Sequence, residues 1–250
     1  MKPWSEINQE QKVWASPDSV AFYQTHRHKP EQLYPSEEFF LPDVLKEVAT
    51  CLDIGCAAGG FSCIMKSFNP NLRYVGVDII PQLIELARIT YPDSEFYVGD
   101  GINLPFAPDS FELIYSSGVL HLNSHYQEIV RSAYRLCSKY LLCDFRLTEG
   151  TTLIAEFDVN FDGKSIPEHP LPYIVVNVKE VTDFLRSLRP TPASIQAKGY
   201  AHAPSPTGRI PLKEVIMAFF LIRKGNEHNK YTSIELDFSY PPRQGKGVKQ

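Results

Sequence analysis

An α/β fold built on a doubly wound, mostly parallel sheet is what this sequence predicts, and three features predict it. Short apolar strands alternate with amphipathic helices from about residue 50 to 145. The first strand runs straight into a small-residue loop, Cys51-Leu-Asp-Ile-Gly-Cys-Ala-Ala-Gly-Gly-Phe61, and then into a helix. Three successive strands end in an acid, Asp53, Asp78 and Asp100. In a parallel sheet those carboxylates emerge at one edge, where such folds bind ligands.

The elements follow from local signals. Ser16-Pro-Asp-Ser19 starts a helix through Val20 and Phe22, which Pro30 ends, leaving His26-Arg-His-Lys-Pro30 as an exposed basic link. Ser36 caps a second helix that Pro42 interrupts or restarts. Thr50–Ile54 is the first strand, and Gly60 to Phe68 its helix. Arg73–Asp78 is the second strand. Pro81, at a first turn where its missing N–H costs nothing, opens a helix to Thr90. Glu95 to Asp100 is the third strand and Phe111 to Tyr115 the fourth. Asn123 or Ser124 caps a helix whose face carries Tyr126, Ile129, Val130, Ala133, Tyr134 and Cys137. Tyr140 to Phe145 is the fifth strand.

The pattern changes at Leu147. Phe157, Val159 and Phe161 alternate with polar residues, and Asp162-Gly163 is a hairpin turn signal. Tyr173 to Val176 reads as the return strand, loosened by Pro167, Pro170 and Pro172. The apolar stripe is core or a lid over a pocket; a dimer-forming edge is the alternative. Asn177-Val-Lys-Glu180 reads as a capping box for a helix to Leu188. Ser194 to Ala201 and Glu214 to Arg223 are the last core strands, the final one antiparallel. Ile234, Leu236, Phe238 and Tyr240 alternate with polar residues as an edge strand, and residues 245–250 should fray. The expected organisation is a helical cap over 1–48, a ligand-binding domain over 49–224 with a β-hairpin insert at 148–178, and a tail over 225–250.

Composition narrows the function classes. Hydrophobic residues are 43% and charged residues 22%, as in a globular, soluble chain. A net charge of −4 gives no general pull toward nucleic acid or anionic membranes. Five cysteines without a C-x-x-C pair suggest reduced thiols. With no signal-peptide pattern at the N-terminus and no long apolar run, a cytoplasmic location is expected.

Taken together, Leu52-Asp-Ile-Gly-Cys-Ala-Ala-Gly59, Val75-Gly-Val-Asp78, Val98-Gly-Asp100, Leu104-Pro-Phe-Ala-Pro-Asp-Ser-Phe111 and Ser116-Ser-Gly-Val-Leu-His121 resemble the class I S-adenosylmethionine-dependent methyltransferases. The resemblance is good over about residues 50–145 and weaker to about 224. It implies a Rossmann-like sheet and S-adenosyl-L-methionine as cofactor. Asp53 and the backbone at Gly55 would hold the cofactor's amino-acid end. Asp78, with Ile79 beside it, would accept from the ribose hydroxyls. Asp100 would accept from the adenine amino group, with Gly101 or Ile102 reading the ring edge. Ser116 and Ser117 would line the methionine part, and Ala57 and Gly59 belong to the loop. Ala57 stands where the family usually has glycine, which adds a methyl close to the ligand. His121 is the candidate base or pocket residue. Tyr23, His26, Arg27, His125, Asp144 and Arg146 are acceptor-pocket candidates.

The expected reaction is in-line methyl transfer to a small-molecule acceptor, with no nucleic-acid or membrane partner and no metal. A non-catalytic binding subunit of the same fold is the alternative. A nicotinamide-dependent oxidoreductase is weaker: Gly55-x-Ala57-x-x-Gly60 partly imitates that fingerprint, but it needs neither Asp53 nor Asp100. His121-Leu-Asn-Ser-His125 lacks the glutamate of a zinc H-E-x-x-H helix. Ser239-Tyr-Pro-Pro242 imitates the motif of amino-methyltransferases of nucleic acid, but in the tail rather than after the fourth strand.

Overall fold

The computed structural model describes residues 13–161 and 164–239. The expected turn at Asp162-Gly163, Tyr240, the Ser239-Tyr-Pro-Pro242 imitation beyond its serine and the frayed end therefore lie outside the described residues, as does the side chain of Phe161.

Eight strands form one path in the order β10-β8-β9-β5-β4-β1-β2-β3. The parallel half is β1 (Thr50–Ile54), β2 (Arg73–Asp78), β3 (Glu95–Val98), β4 (Phe111–Ser116) and β5 (Cys137–Thr148). β9 (Val215–Arg223) runs antiparallel to both β5 and β8 (Ser194–His202), and β10 (Ser233–Asp237) closes the edge parallel to β8. This is the doubly wound, Rossmann-like sheet with an antiparallel last core strand.

Helices cover both faces because each interior strand is apolar on both. On one face α2 (Pro35–Lys46), α3 (Gly60–Phe68) and α4 (Pro81–Thr90) contribute Leu41, Leu45, Ile64, Met65 and Ile84 to a core with Tyr74, Tyr115 and Phe219. On the other, α5 (Tyr126–Leu136) and α6 (Val178–Arg186) bring Ile129, Val130, Phe184 and Leu185 onto Leu52, Ile114, Phe145 and Phe220. α1 (Pro17–Thr25) packs on α3, α4 and the strand Leu153–Phe161. Four cysteines are buried, Cys63 is exposed, and all five are free. Among the described residues no helix is long and apolar enough to cross a membrane.

Several local expectations are corrected. α1 stops at Thr25, where the C-cap His26 is already extended (φ −91°, ψ 131°) and Arg27 follows in the left-handed region (φ 56°), so the helix ends ahead of Pro30. Ser36 lies inside α2, whose N-cap is Tyr34, and the helix passes through Pro42 unbroken. α5 starts at Tyr126: Leu120–Leu122 forms a separate 3-10 turn, and Asn123 Oδ1 instead accepts from the His125 N–H at 2.8 Å. Asn177 does cap α6, accepting from Lys179 and Glu180 N–H. Glu180 turns to Thr152 at 2.6 Å rather than completing a capping box.

The largest difference is length after Phe145. β5 continues to Thr148, and β7 spans Lys164–Asn177, pairing with β6 (Leu153–Phe161) on either side of a break at Pro167 and Pro170 and, at Leu147 and Thr148, with β5. The insert is therefore a long ribbon rooted in the sheet itself.

Candidate active site

A cavity of about 710 Å³ opens at the edge where β1 to β5 end. The strand order sets out its contents. Asp100, Asp78, Asp53, Ser117 and Arg146 follow one another across β3, β2, β1, β4 and β5, and all line it.

The loop after β1 is shaped by backbone constraints. Gly55 has φ of 84°, and a Cβ there would lie 2.2 Å from Val119 Cγ2, so only glycine lets the two loops meet. Gly55 and Cys56 N–H both donate to the Val77 carbonyl, at 2.8 and 3.1 Å, which folds the loop over β2. Ala57 also sits in the left-handed region, at φ of 47°. An alanine there carries about 1–2 kcal/mol of strain, which explains the family's preference for glycine at this position. The Ala57 N–H donates to Asp78 Oδ2 at 2.9 Å.

The three acids differ in their surroundings. Asp53 is 2% exposed on the α2–α3 face of β1 and accepts from the Tyr74 hydroxyl at 2.5 Å. Burial pushes it up to about 7; the Tyr74 bond opposes that rise, and Asp78 adds to it. Asp78 is raised too, chiefly by burial, against bonds from the Ile80 and Ala57 N–H groups. Asp100 lies beyond β3. Burial there is outweighed by bonds from Asn103 and Ile102 N–H and the Asn103 amide, so it is held below the usual carboxylate range.

The N-terminal segment closes over this edge. The basic link is folded inward at Arg27, while Lys29 stays exposed. Arg27 pairs with fully buried Glu37, donates to Ser117 Oγ at 3.1 Å, and lies 4.2 Å from the Tyr34 ring centroid and 4.7 Å from that of Phe61. Glu37 also accepts from the Tyr115 hydroxyl and the Tyr34 N–H. Burial alone would lower the Arg27 guanidinium, and Glu37 outweighs it, so its pKa is raised. The Arg27 carbonyl sits 2.4 Å from where a Cβ on Gly60 would stand, so the link packs directly on the start of α3.

The far end is built from β5, the ribbon and the 205–207 loop. β5 outruns β4, whose last pair is Ser116 with Cys143, so Asp144 and Arg146 project past it on one face. Asp144 accepts from the Gly118 N–H at 2.7 Å and from Arg146 Nη1 at 2.6 Å. His121 is 8% exposed, and its ring meets Tyr173 edge-on at 5.4 Å. Burial first, then the Arg146 charge, lowers its pKa well below the ordinary histidine value. Its Nδ1 has no hydrogen-bond partner among the described residues.

Of the residues singled out from the sequence, Asp53, Gly55, Ala57, Asp78, Ile79, Asp100, Gly101, Ser117, His121, Tyr23, His26, Arg27 and Arg146 line the cavity. Gly59, Ile102, Ser116, His125 and Asp144 do not. Gly59 is the left-handed N-cap of α3. Ser116 is turned into the sheet, donating to the Ile54 carbonyl at 3.0 Å. Ile102 offers Asp100 its N–H, and His125 is the N-cap of α5. Glu37, Tyr34 and Tyr115 went unread, Tyr173 was read only as strand, and Phe157 and Val159 of the apolar stripe line the cavity. Beyond its bond from the Tyr34 N–H, Glu37's side-chain partners lie 10 and 78 residues away, so nothing local marks its role.

A family profile described as a methyltransferase domain matches residues 52–140, the stretch that supplies all three acids and the loop. Residues 52–140 thus match a methyltransferase domain, the family type that the sequence motifs resemble. S-adenosyl-L-methionine is the cofactor of this family, and the donor set suits it: buried Asp78 for a diol, Asp100 in its loop, and backbone free of side chains at Gly55. The methyltransferase domain shares 31% identity over 98 residues with trans-aconitate 2-methyltransferase of Enterobacter sp., covering 38% of each chain. It shares 34% over 70 residues with tRNA (carboxymethyluridine(34)-5-O)-methyltransferase of Saccharomyces cerevisiae, covering 28% of this chain and 24% of that one. The chain thus spans well under two thirds of either relative. Among solved structures, Burkholderia thailandensis 1,6-didemethyltoxoflavin-N1-methyltransferase, with bound 1,6-didemethyltoxoflavin and S-adenosylhomocysteine, shares the fold at a TM-score of 0.57 and 16% identity, over 87% of each chain.

Proposed function

We propose that this protein is an enzyme that moves a methyl group from S-adenosyl-L-methionine to a small-molecule acceptor. The observation that carries the reading is the division of the cavity. Its β1–β3 side presents the three acids, and its β4–β5 side is walled by the N-terminal segment, the ribbon and the 205–207 loop. That leaves room beside the acids for a small molecule. The net charge of −4 also argues against a nucleic-acid acceptor.

The cofactor supplies an electrophilic methyl group, so the hard chemistry is its own. The protein's residues bind, orient and exclude water. In this reading Asp78 takes the ribose hydroxyls, Asp100 and Gly101 the adenine edge, and Asp53 with Gly55 the amino-acid end. Ser117, fixed by Arg27, lines the reacting centre, and Tyr23, Arg27 and the rest of residues 13–34 cover it. His121 is held neutral by its surroundings. The same burial makes it a weak base, so it serves better as a hydrogen-bond partner to the acceptor's nucleophilic atom than as a strong proton acceptor.

Incubation with methyl-labelled cofactor over a metabolite extract, and in parallel over bulk tRNA, tests this. Label in a small molecule is expected. Label confined to tRNA, or bound cofactor with no transfer to anything, would overturn the acceptor class or the catalytic reading respectively.

A further inference from the structure

Resting on that reading, we propose that the acceptor is a planar carboxylate, recognised by Arg146 and slotted against the rings of Tyr173 and Phe157.

The described lining contains two arginines and no lysine. Arg27 spends both terminal nitrogens, on Ser117 and Glu37, and only its buried Nε has no partner among the described residues, so its fork is not free. Arg146 is not fully committed. It is 6% exposed, and among the described residues its acceptor is Asp144, through Nη1 alone. A guanidinium carries five N–H donors in a fixed fork that matches a carboxylate with two parallel bonds. Asp144 is itself anchored by the Gly118 N–H at 2.7 Å, so it acts as a brace that sets the fork's direction and leaves donors for a ligand.

The groups around the fork suit a flat, partly apolar anion. Phe157 and Tyr173 stand with centroids 5.7 Å apart and planes 36° from parallel, which gives one aromatic wall. His121 presents its unpartnered Nδ1 beside the same tyrosine. The 205–207 loop beside that wall is fixed in place, bridged to Phe157 at Gly208. The Asp158 N–H donates to the Thr207 carbonyl and the Arg209 N–H to the Glu156 carbonyl, at 3.2 and 2.9 Å. The Arg209 side chain clamps Glu156 and Asp158, so Ser205 and Thr207 are held as hydroxyl donors rather than on a free loop. The sheet order separates this subsite from the cofactor. Arg146 stands on β5, three strands from the Asp78 position on β2.

The test uses full-length protein loaded with S-adenosylhomocysteine and matched acid–amide pairs: benzoate with benzamide, and indole-3-acetate with indole-3-acetamide. Calorimetry should show at least one acid binding at least tenfold tighter than its amide. Asp144→Asn with Arg146→Gln removes both charges while an amide oxygen can still accept from Gly118. That double variant should bring the ratio to within about twofold and keep S-adenosylhomocysteine binding. Arg146→Lys, which keeps the charge and loses the fork, should fall between. Loaded protein that treats acid and amide alike, or takes neither member of any pair, overturns this proposal alone. Protein that binds no S-adenosylhomocysteine overturns the function reading, and this one with it.

Discussion

Asp53 gives the sharpest handle on the cofactor end. Its carboxyl is pushed up to about 7 because burial disfavours its charge more than the Tyr74 bond favours it. A ligand ammonium beside it requires the charged form. At pH 6, one unit below that value, ionising it costs about 1.4 kcal/mol, and at pH 8 almost nothing. The S-adenosylhomocysteine Kd should therefore be roughly tenfold weaker at pH 6 than at pH 8. Calorimetry in buffers of different ionisation enthalpy should also show a proton released on binding at the lower pH. Asp53→Asn should flatten the profile. Tyr74→Phe, which removes the opposing hydrogen bond, should move its midpoint upward. The unliganded protein carries the mirror effect. A raised carboxyl binds a proton in the folded state that the unfolded chain has lost, so its stabilising contribution is complete below pH 3.8 and fades as the pH rises toward 7. A Kd that is level from pH 6 to 8, or that weakens with rising pH, would refute the reasoning.

Three substitutions test other parts of the site and fold. Asp78→Ala should weaken S-adenosylhomocysteine binding by about 1.5–3 kcal/mol, the scale of hydrogen bonds to a charged group; unchanged calorimetric affinity would remove Asp78 from the site. Gly60→Ala puts a methyl against the Arg27 carbonyl and should destabilise the fold by about 1–3 kcal/mol in thermal melts, since backbone rather than a pliable side chain must give way. Asn177→Ala removes the side chain that accepts from Lys179 and Glu180 N–H, and should cost about 1 kcal/mol in denaturant unfolding without changing cofactor affinity.

What was legible in the sequence was what is local in the chain. The Cys51–Phe61 stretch and the strand-ending acids announce themselves within a dozen residues, and the structure places β1, α3, β2 and α4 at the boundaries those residues imply. The strand after Phe145 was cut short because a buried arginine interrupts an apolar run, and nothing nearby says that Asp144 pairs with it. The return strand begins before Tyr173, but the pairing does break where Pro167 and Pro170 lie, while Pro172 stays paired with Glu156. Arg27 looked like part of a solvated basic link; only the fold brings Glu37 and Tyr115 to it. Long-range ion pairs leave no periodicity to read.

The account stands on one adenosyl ligand lying across the tips of β1, β2 and β3. The crystal structure of the protein with S-adenosylhomocysteine tests it most directly. The predicted result has the ribose diol on the Asp78 carboxylate, the adenine amine beside Asp100, and the thioether facing Ser117, with open space toward Arg146. A ligand bound with its ribose away from Asp78, or no ligand in that cavity at saturating concentration, would contradict it.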